Sequence, residues 1–223
     1  MNIQEYPDRD MLAIDLANKL AGELETHLLH NETACLAVPG GSTPGPIFDD
    51  LCAADLDWAR VHVLPTDERW VPMDDPRSNE RLIRERLLVN RAAAARFLPL
   101  HVPAHEPQDA LAEIEALIVP ELPISVLVLG MGEDMHTASL FPGAPDLAKA
   151  LGSDAPILTL QAPETQPELR VSLSARILDG AISKHLVIYG DRKRQALERA
   201  MTLPPEEAPI RAVLSETTVH WAE

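Results

Sequence analysis

The chain has 223 residues, 46% of them hydrophobic and 24% charged, which is the composition of a folded globular chain and excludes a disordered one. Lys plus Arg number 19 against 35 Asp plus Glu, for a formal net charge of −16. A surface that acidic argues against nucleic acid or an anionic membrane as partner, yet leaves room for a small anion where a few cations converge. No run approaches the roughly 18 apolar residues of a membrane span, and the opening Met1 to Glu5 lacks the basic-then-apolar plan of a secretory signal. Two cysteines, Cys35 and Cys52, are too few for a disulfide scaffold and suit a reducing cytoplasm.

The first element is an amphipathic helix. Leu12, Leu16, Leu20, Leu24 and Leu28 recur every four residues beside Ala13, Ala17 and Ala21, with Asp8 or Asp10 as cap. A strand over Ala34 to Val38 runs into a tight loop, after which Thr43 suits an N-cap and Pro44 a first helical turn. A second strand covers Val61 to Leu64, followed by a loop from Pro65 to Arg77 and a helix capped by Ser78 with Leu82, Ile83 and Leu87 inward. Phe97 to Leu100 reads as a third strand, and Ala110, Leu111, Ile114, Leu117 and Ile118 as a helix. Ile124 to Leu129 is an almost unbroken apolar run, the mark of a strand covered on both faces. Further strands are expected at Ile157 to Leu160, Leu186 to Tyr189, Ala212 to Leu214 and Val219 to Trp221, with a helix from Arg192 to Met201. Strands alternating with helices predict one α/β domain over residues 1–223, with a mostly parallel sheet flanked by helices. Ligands of such folds sit beyond the carboxyl ends of the strands. That rule selects the loops after Val38, Leu64, Leu129 and Tyr189.

The first loop is Gly40-Gly41-Ser42-Thr43. Glycines let backbone N–H groups approach a ligand, a helix start adds partial positive charge, and two hydroxyls complete a set suited to phosphate oxygens. A tight turn before a capped helix explains it equally well. It lacks the Lys-Ser/Thr ending of a nucleotide P-loop. The second loop, Thr66-Asp67-Glu68-Arg69-Trp70-Val71-Pro72 and on to Ser78-Asn79, is a dense polar cluster after a buried strand. Arg69 offers a planar donor fork to phosphate or carboxylate, or else is spent on a salt bridge to a neighbouring acid.

The third loop opens Gly130-Met131-Gly132, but Met135 occupies the third glycine position of a dinucleotide fingerprint. His136, just past a central strand, is a candidate general base with Asp134 or Glu133 to orient it; a structural hydrogen-bonding role is the alternative. Arg170 and Lys193 add cations, whereas Arg192 and Arg194 read as a solvated face. His27, His30, His101 and His105 lack ligand spacing, so no metal site is expected. Cys35 reads as a small buried hydrophobe, and Ser42 lacks the G-x-S-x-G elbow of a serine hydrolase.

Three stretches carry a resemblance: Pro39-Gly40-Gly41-Ser42-Thr43-Pro44; Asp67-Glu68-Arg69-Trp70-Val71-Pro72 with Ser78-Asn79; and Gly130-Met131-Gly132-Glu133-Asp134-Met135-His136-Thr137-Ala138-Ser139-Leu140-Phe141-Pro142-Gly143. In order and spacing, and over nearly the whole chain, the sequence resembles the 6-phosphogluconolactonase family. The resemblance implies hydrolysis of 6-phosphoglucono-δ-lactone to 6-phosphogluconate in the pentose phosphate pathway. It also implies a Rossmann-like fold shared with glucosamine-6-phosphate deaminases, and neither metal nor cofactor. The partner is then a small sugar-phosphate lactone, bound by a monomer or small homo-oligomer. On that reading His136 is the general base, supported by Asp134. Arg69, Arg170 and Lys193, with Ser42 and Thr43, grip the phosphate, and Gly40, Gly41, Asp67, Ser78 and Asn79 complete the binding set. The oxyanion donor is a backbone N–H of the Gly40-Gly41 loop or of the Gly132 loop. Met135 stands where the family usually has glycine, so a positive φ there would cost stability or activity. The deaminases differ in an Asn-Glu-Pro segment where this chain has Ser139-Leu140-Phe141-Pro142, and in Asp-Glu-Tyr where it has Asp67-Glu68-Arg69. A non-catalytic sugar-phosphate sensor is the other reading; it would keep Arg69 and the phosphate loop but need no histidine.

Overall fold

The computed structural model describes residues 2–102, 106–162 and 168–223; His105 lies outside them. In chain order the elements are β1 (Asn2–Glu5), α1 (Arg9–Leu28), β2 (Ala34–Val38), α2 (Gly45–Leu51), β3 (Val61–Pro65), β4 (Asp67–Arg69), α3 (Asn79–Arg86), β5 (Arg96–Phe97), α4 (Pro107–Ile118), β6 (Val126–Gly130), α5 (Leu147–Leu151), β7 (Leu158–Gln161), β8 (Arg170–Leu173), α6 (Ala175–Asp179), β9 (Ser183–Tyr189), α7 (Gly190–Ala200) and β10 (Thr218–Ala222).

Seven strands form a parallel sheet in the order β1-β10-β9-β6-β2-β3-β5. Its central strands are apolar on both faces because helices cover both. Along β6 the side chains alternate: Val126 and Val128 join one core with α1 and α2, and Leu127 and Leu129 join the other with α4 and α6. Helix α1 turns Leu12, Leu16, Leu20, Leu24 and Leu28 inward, and Asp8 caps it by accepting the Met11 N–H at 2.8 Å. From β2 the chain moves outward through β3 and β5. It then returns to β6 on the other side of β2 and continues to β9 and β10. Strand order therefore reverses between β2 and β6, and a crevice opens at their carboxyl ends.

Some sequence expectations need correction. Ala212 to Leu214 is not a strand: Pro209–Val213 is a 3₁₀ turn, where Pro209 starts the turn with its fixed φ. The strand expected at Phe97 to Leu100 is only Arg96–Phe97, cut short before Pro99, which has no N–H for a ladder. Thr43 does not cap α2. Pro44 is already helical at φ −79°, ψ −13°, and its carbonyl accepts from Phe48, so it takes the cap position. The Ile157 to Leu160 segment is a strand, but it joins a separate antiparallel sheet, β4-β8-β7. Thr66 ties that small sheet to the large one: its N–H donates to Val38 and its carbonyl accepts from Leu173. Among the described residues no helix is long and apolar enough to cross a membrane.

Candidate active site

A cavity of about 250 Å³ occupies the crevice. Pro39 to Thr43 wall it after β2, Asp67, Arg69 and Asn79 after β3, and Gly130 to Gly132 with His136 and Ala138 after β6. Lys193 enters from the first turn of α7, and Arg170 from β8. Four loops that are distant in sequence thus meet where the strand rule placed them. Two glycines make the approach possible. A Cβ on Gly40 would lie 1.8 Å from Asn79 Oδ1, and one on Gly132 would lie 2.3 Å from His136 Nδ1.

His136 is held on several sides. Its Nδ1 lies 2.5 Å from Asp134 Oδ1, and its backbone N–H donates to the same oxygen at 3.2 Å. A carboxylate only accepts, so Nδ1 carries the proton and the neutral ring keeps its lone pair on Nε2. The ring stacks on Phe141 at 4.4 Å between centroids. Burial pushes the Asp134 carboxyl up, but the hydrogen bonds it accepts from His136 outweigh it, and the net shift is downward. Glu133, the other candidate partner, instead uses its backbone carbonyl to accept from Arg199. The loop itself is pinned: Gly132 N–H donates to the His136 carbonyl, Thr137 Oγ1 to the Gly130 carbonyl, and Ile210 N–H to the Met135 carbonyl. This geometry requires positive φ at Met135 (67°) and Ala138 (48°).

Cations gather in the same cavity. Arg69 Nη1 donates to the Arg77 carbonyl at 2.6 Å and to Asn79 Oδ1 at 3.4 Å. Among the described residues the Arg69 side chain is held by these neutral acceptors and forms no ion pair with a carboxylate. Arg170 pairs in register with Arg69 across β4 and β8, and its guanidinium lies 5.2 Å over the Phe141 ring. Burial first, and then the charge of Arg69, hold Arg170 below its ordinary pKa. Burial likewise lowers Lys193, with Glu133 opposing. Like charges brought together and partly desolvated favour an anion between them. The N–H groups of Gly40 to Thr43 donate to nothing among the described residues, so they remain available to a ligand. Asp67 is buried and fixed by the hydroxyls of Ser139 at 2.5 Å and Thr66 at 3.1 Å.

Two expected binding and catalytic residues are off the wall. Ser78 lies behind it, donating to Glu68 and capping α3 through the Arg81 N–H; a small hydroxyl at a helix start is drawn to the orphan N–H groups there. Asp134 also lies off the wall, reaching it only through His136. Arg192 is exposed, and Arg194 pairs with Glu5. Cys35 is fully buried, and burial pushes its thiol up. Met131 and Ala138 line the cavity but had no sequence signal beyond membership of the third stretch.

The family model for glucosamine-6-phosphate isomerases/6-phosphogluconolactonase matches residues 7–221. The chain belongs to this family. A 6-phosphogluconolactonase from Mesorhizobium japonicum is 44% identical, the match covering 99% of this chain and 95% of that protein. One from Pseudomonas aeruginosa is 40% identical, covering 92% and 88%. The crystal structure of a 6-phosphogluconolactonase from Shewanella baltica superposes with a TM-score of 0.95 at 33% identity, over 100% of this chain and 98% of that one. A monomeric glucosamine-6-phosphate deaminase shares the fold, with a TM-score of 0.82 at 17% identity. The positive φ at Met135 is a left-handed conformation that costs an L side chain about 1–2 kcal/mol.

Proposed function

We propose that this protein hydrolyses 6-phospho-D-glucono-1,5-lactone to 6-phospho-D-gluconate. The observation that carries the reading is one histidine, oriented by a carboxylate, facing a cavity that Arg69, Arg170 and Lys193 also line. The cations and the Gly40 to Thr43 N–H groups take the phosphate and place the lactone carbonyl near His136. A δ-lactone is an activated ester, so water needs only modest help. His136 Nε2 accepts a proton as water attacks the carbonyl carbon, and Asp134 stabilises the imidazolium that forms. The tetrahedral oxyanion requires an N–H donor. Gly132 N–H is spent on the His136 carbonyl and does not fill that role. Collapse breaks the ring C–O bond, and the imidazolium returns its proton to the departing oxygen. Two buried thiols, Cys35 and Cys52, fit a reducing cytoplasm as the setting.

Proton release on adding freshly generated lactone, measured with and without protein, tests this reading. Acceleration over the spontaneous rate supports it. Binding without acceleration would make the protein a sensor of sugar phosphates.

A further inference from the structure

Glu68 sits next to Arg69 in β4, is 1% exposed, and does not line the cavity. Its Oε1 accepts the backbone N–H groups of Arg69 and Asn79, both at 2.8 Å. Its Oε2 accepts the Glu80 N–H at 2.7 Å and the Ser78 hydroxyl at 3.1 Å. Two of those donors belong to residues whose side chains line the cavity. Asn79 extends the chain of contacts: its Nδ2 donates to the Asp67 carbonyl at 2.7 Å, and its Oδ1 accepts from Arg69 and fills the space beside Gly40. One buried carboxylate thus ties β4, the start of α3 and the glycine loop together at the anion-binding wall. Burial pushes this carboxyl up against the pull of its four donors, so the ionised group is held there at a cost.

We propose that Glu68 is a positioning residue for substrate affinity, acting through Arg69 and Asn79 without touching the substrate. The inference rests on the lactonase reading, since the affinity in question is for the phosphorylated lactone. An amide cannot replace the carboxylate. Both oxygens face a backbone N–H, so a glutamine Nε2 meets a donor in either orientation. The wall then loosens, while the His136–Asp134 pair on the third loop keeps its own anchors.

The test is steady-state lactone hydrolysis with inorganic phosphate as competitor, on wild type, Glu68→Gln, Arg69→Ala and the double variant. Glu68→Gln is expected to raise KM about tenfold and weaken phosphate inhibition in parallel, with kcat within about threefold. In the double variant the KM effect is expected to be smaller than the product of the single effects. An unchanged KM, a loss confined to kcat, or fully multiplicative effects would overturn the proposal. If Glu68→Gln does not fold, Ser78→Ala, which removes one of the four donors, is expected to raise KM about twofold or more; an unchanged KM there also overturns it. A wild type that does not accelerate lactone hydrolysis refutes the lactonase reading alone. The rise in Tm caused by phosphate, larger in wild type than in Glu68→Gln, then still decides the role of Glu68, and equal rises count against it.

Discussion

Met135 combines a positive φ of 67° with a side chain packed on the core. Its replacement therefore separates two effects. Met135→Ala loses the packing and keeps the backbone strain, whereas Met135→Gly loses the packing and relieves the strain. The glycine variant is expected to be the more stable of the two by about 1 kcal/mol in denaturant unfolding, and to keep its lactonase activity. A glycine variant less stable than the alanine variant, or a large loss of turnover in it, would contradict this account of the loop. Arg69 is a simpler case. Its guanidinium is held by neutral acceptors and keeps its charge for a ligand, so Arg69→Ala is expected to raise KM by about tenfold or more with a smaller change in kcat.

The loops carry the tightest tolerances among the elements. A Cβ on Gly132 would collide with the His136 ring, and one on Gly40 with the Asn79 amide. Gly132→Ala is expected to act on kcat and Gly40→Ala on KM, by about tenfold or more each, because one displaces the base and the other the anion wall. The reverse pattern would show that the two walls are misassigned. The sequence made the long elements legible: α1 from its four-residue leucine period, β2 and β6 from apolar runs that only a doubly covered strand needs. It did not reveal β4, whose residues Asp67-Glu68-Arg69 are all charged and become a strand only by pairing with β8. Nor did it reveal β1, a short polar edge strand exposed along most of its length. Ala212 to Leu214 misled because a three-residue apolar run has no period to distinguish strand from turn. At the site, the strand-end rule and three residue strings located the wall. They could not show that Ser78 serves α3 or that Glu68 anchors two neighbours, since both depend on contacts made only after folding.

Across the whole molecule the charge balance and the buried polar groups pull in different directions. A net charge of −16 repels a sugar phosphate, so binding depends on cations confined to one crevice. Off the cavity lining, His220 is buried between Tyr6, whose hydroxyl lies 2.9 Å from its Nδ1, and His185, 3.0 Å from its Nε2. Burial, then the neighbouring His185, lowers its pKa from 6.5 to about 3. The unfolded chain therefore binds the extra proton first. The stability this histidine contributes is complete above pH 6.5 and is lost as pH falls from there toward 3. Tm is expected to drop by several degrees across that window, and the drop to shrink in His220→Gln; an equally steep fall in that variant would place the acid sensitivity elsewhere.

The claim on which the functional account depends is that His136, set by Asp134, deprotonates water beside a bound lactone. Hydrolysis of freshly generated 6-phosphogluconolactone, corrected for the spontaneous rate and measured on wild type and His136→Ala together, tests it most directly. The account expects kcat to fall by about 10²–10⁴-fold in the variant while KM stays near the wild-type value. A variant that turns over near the wild-type rate would contradict it.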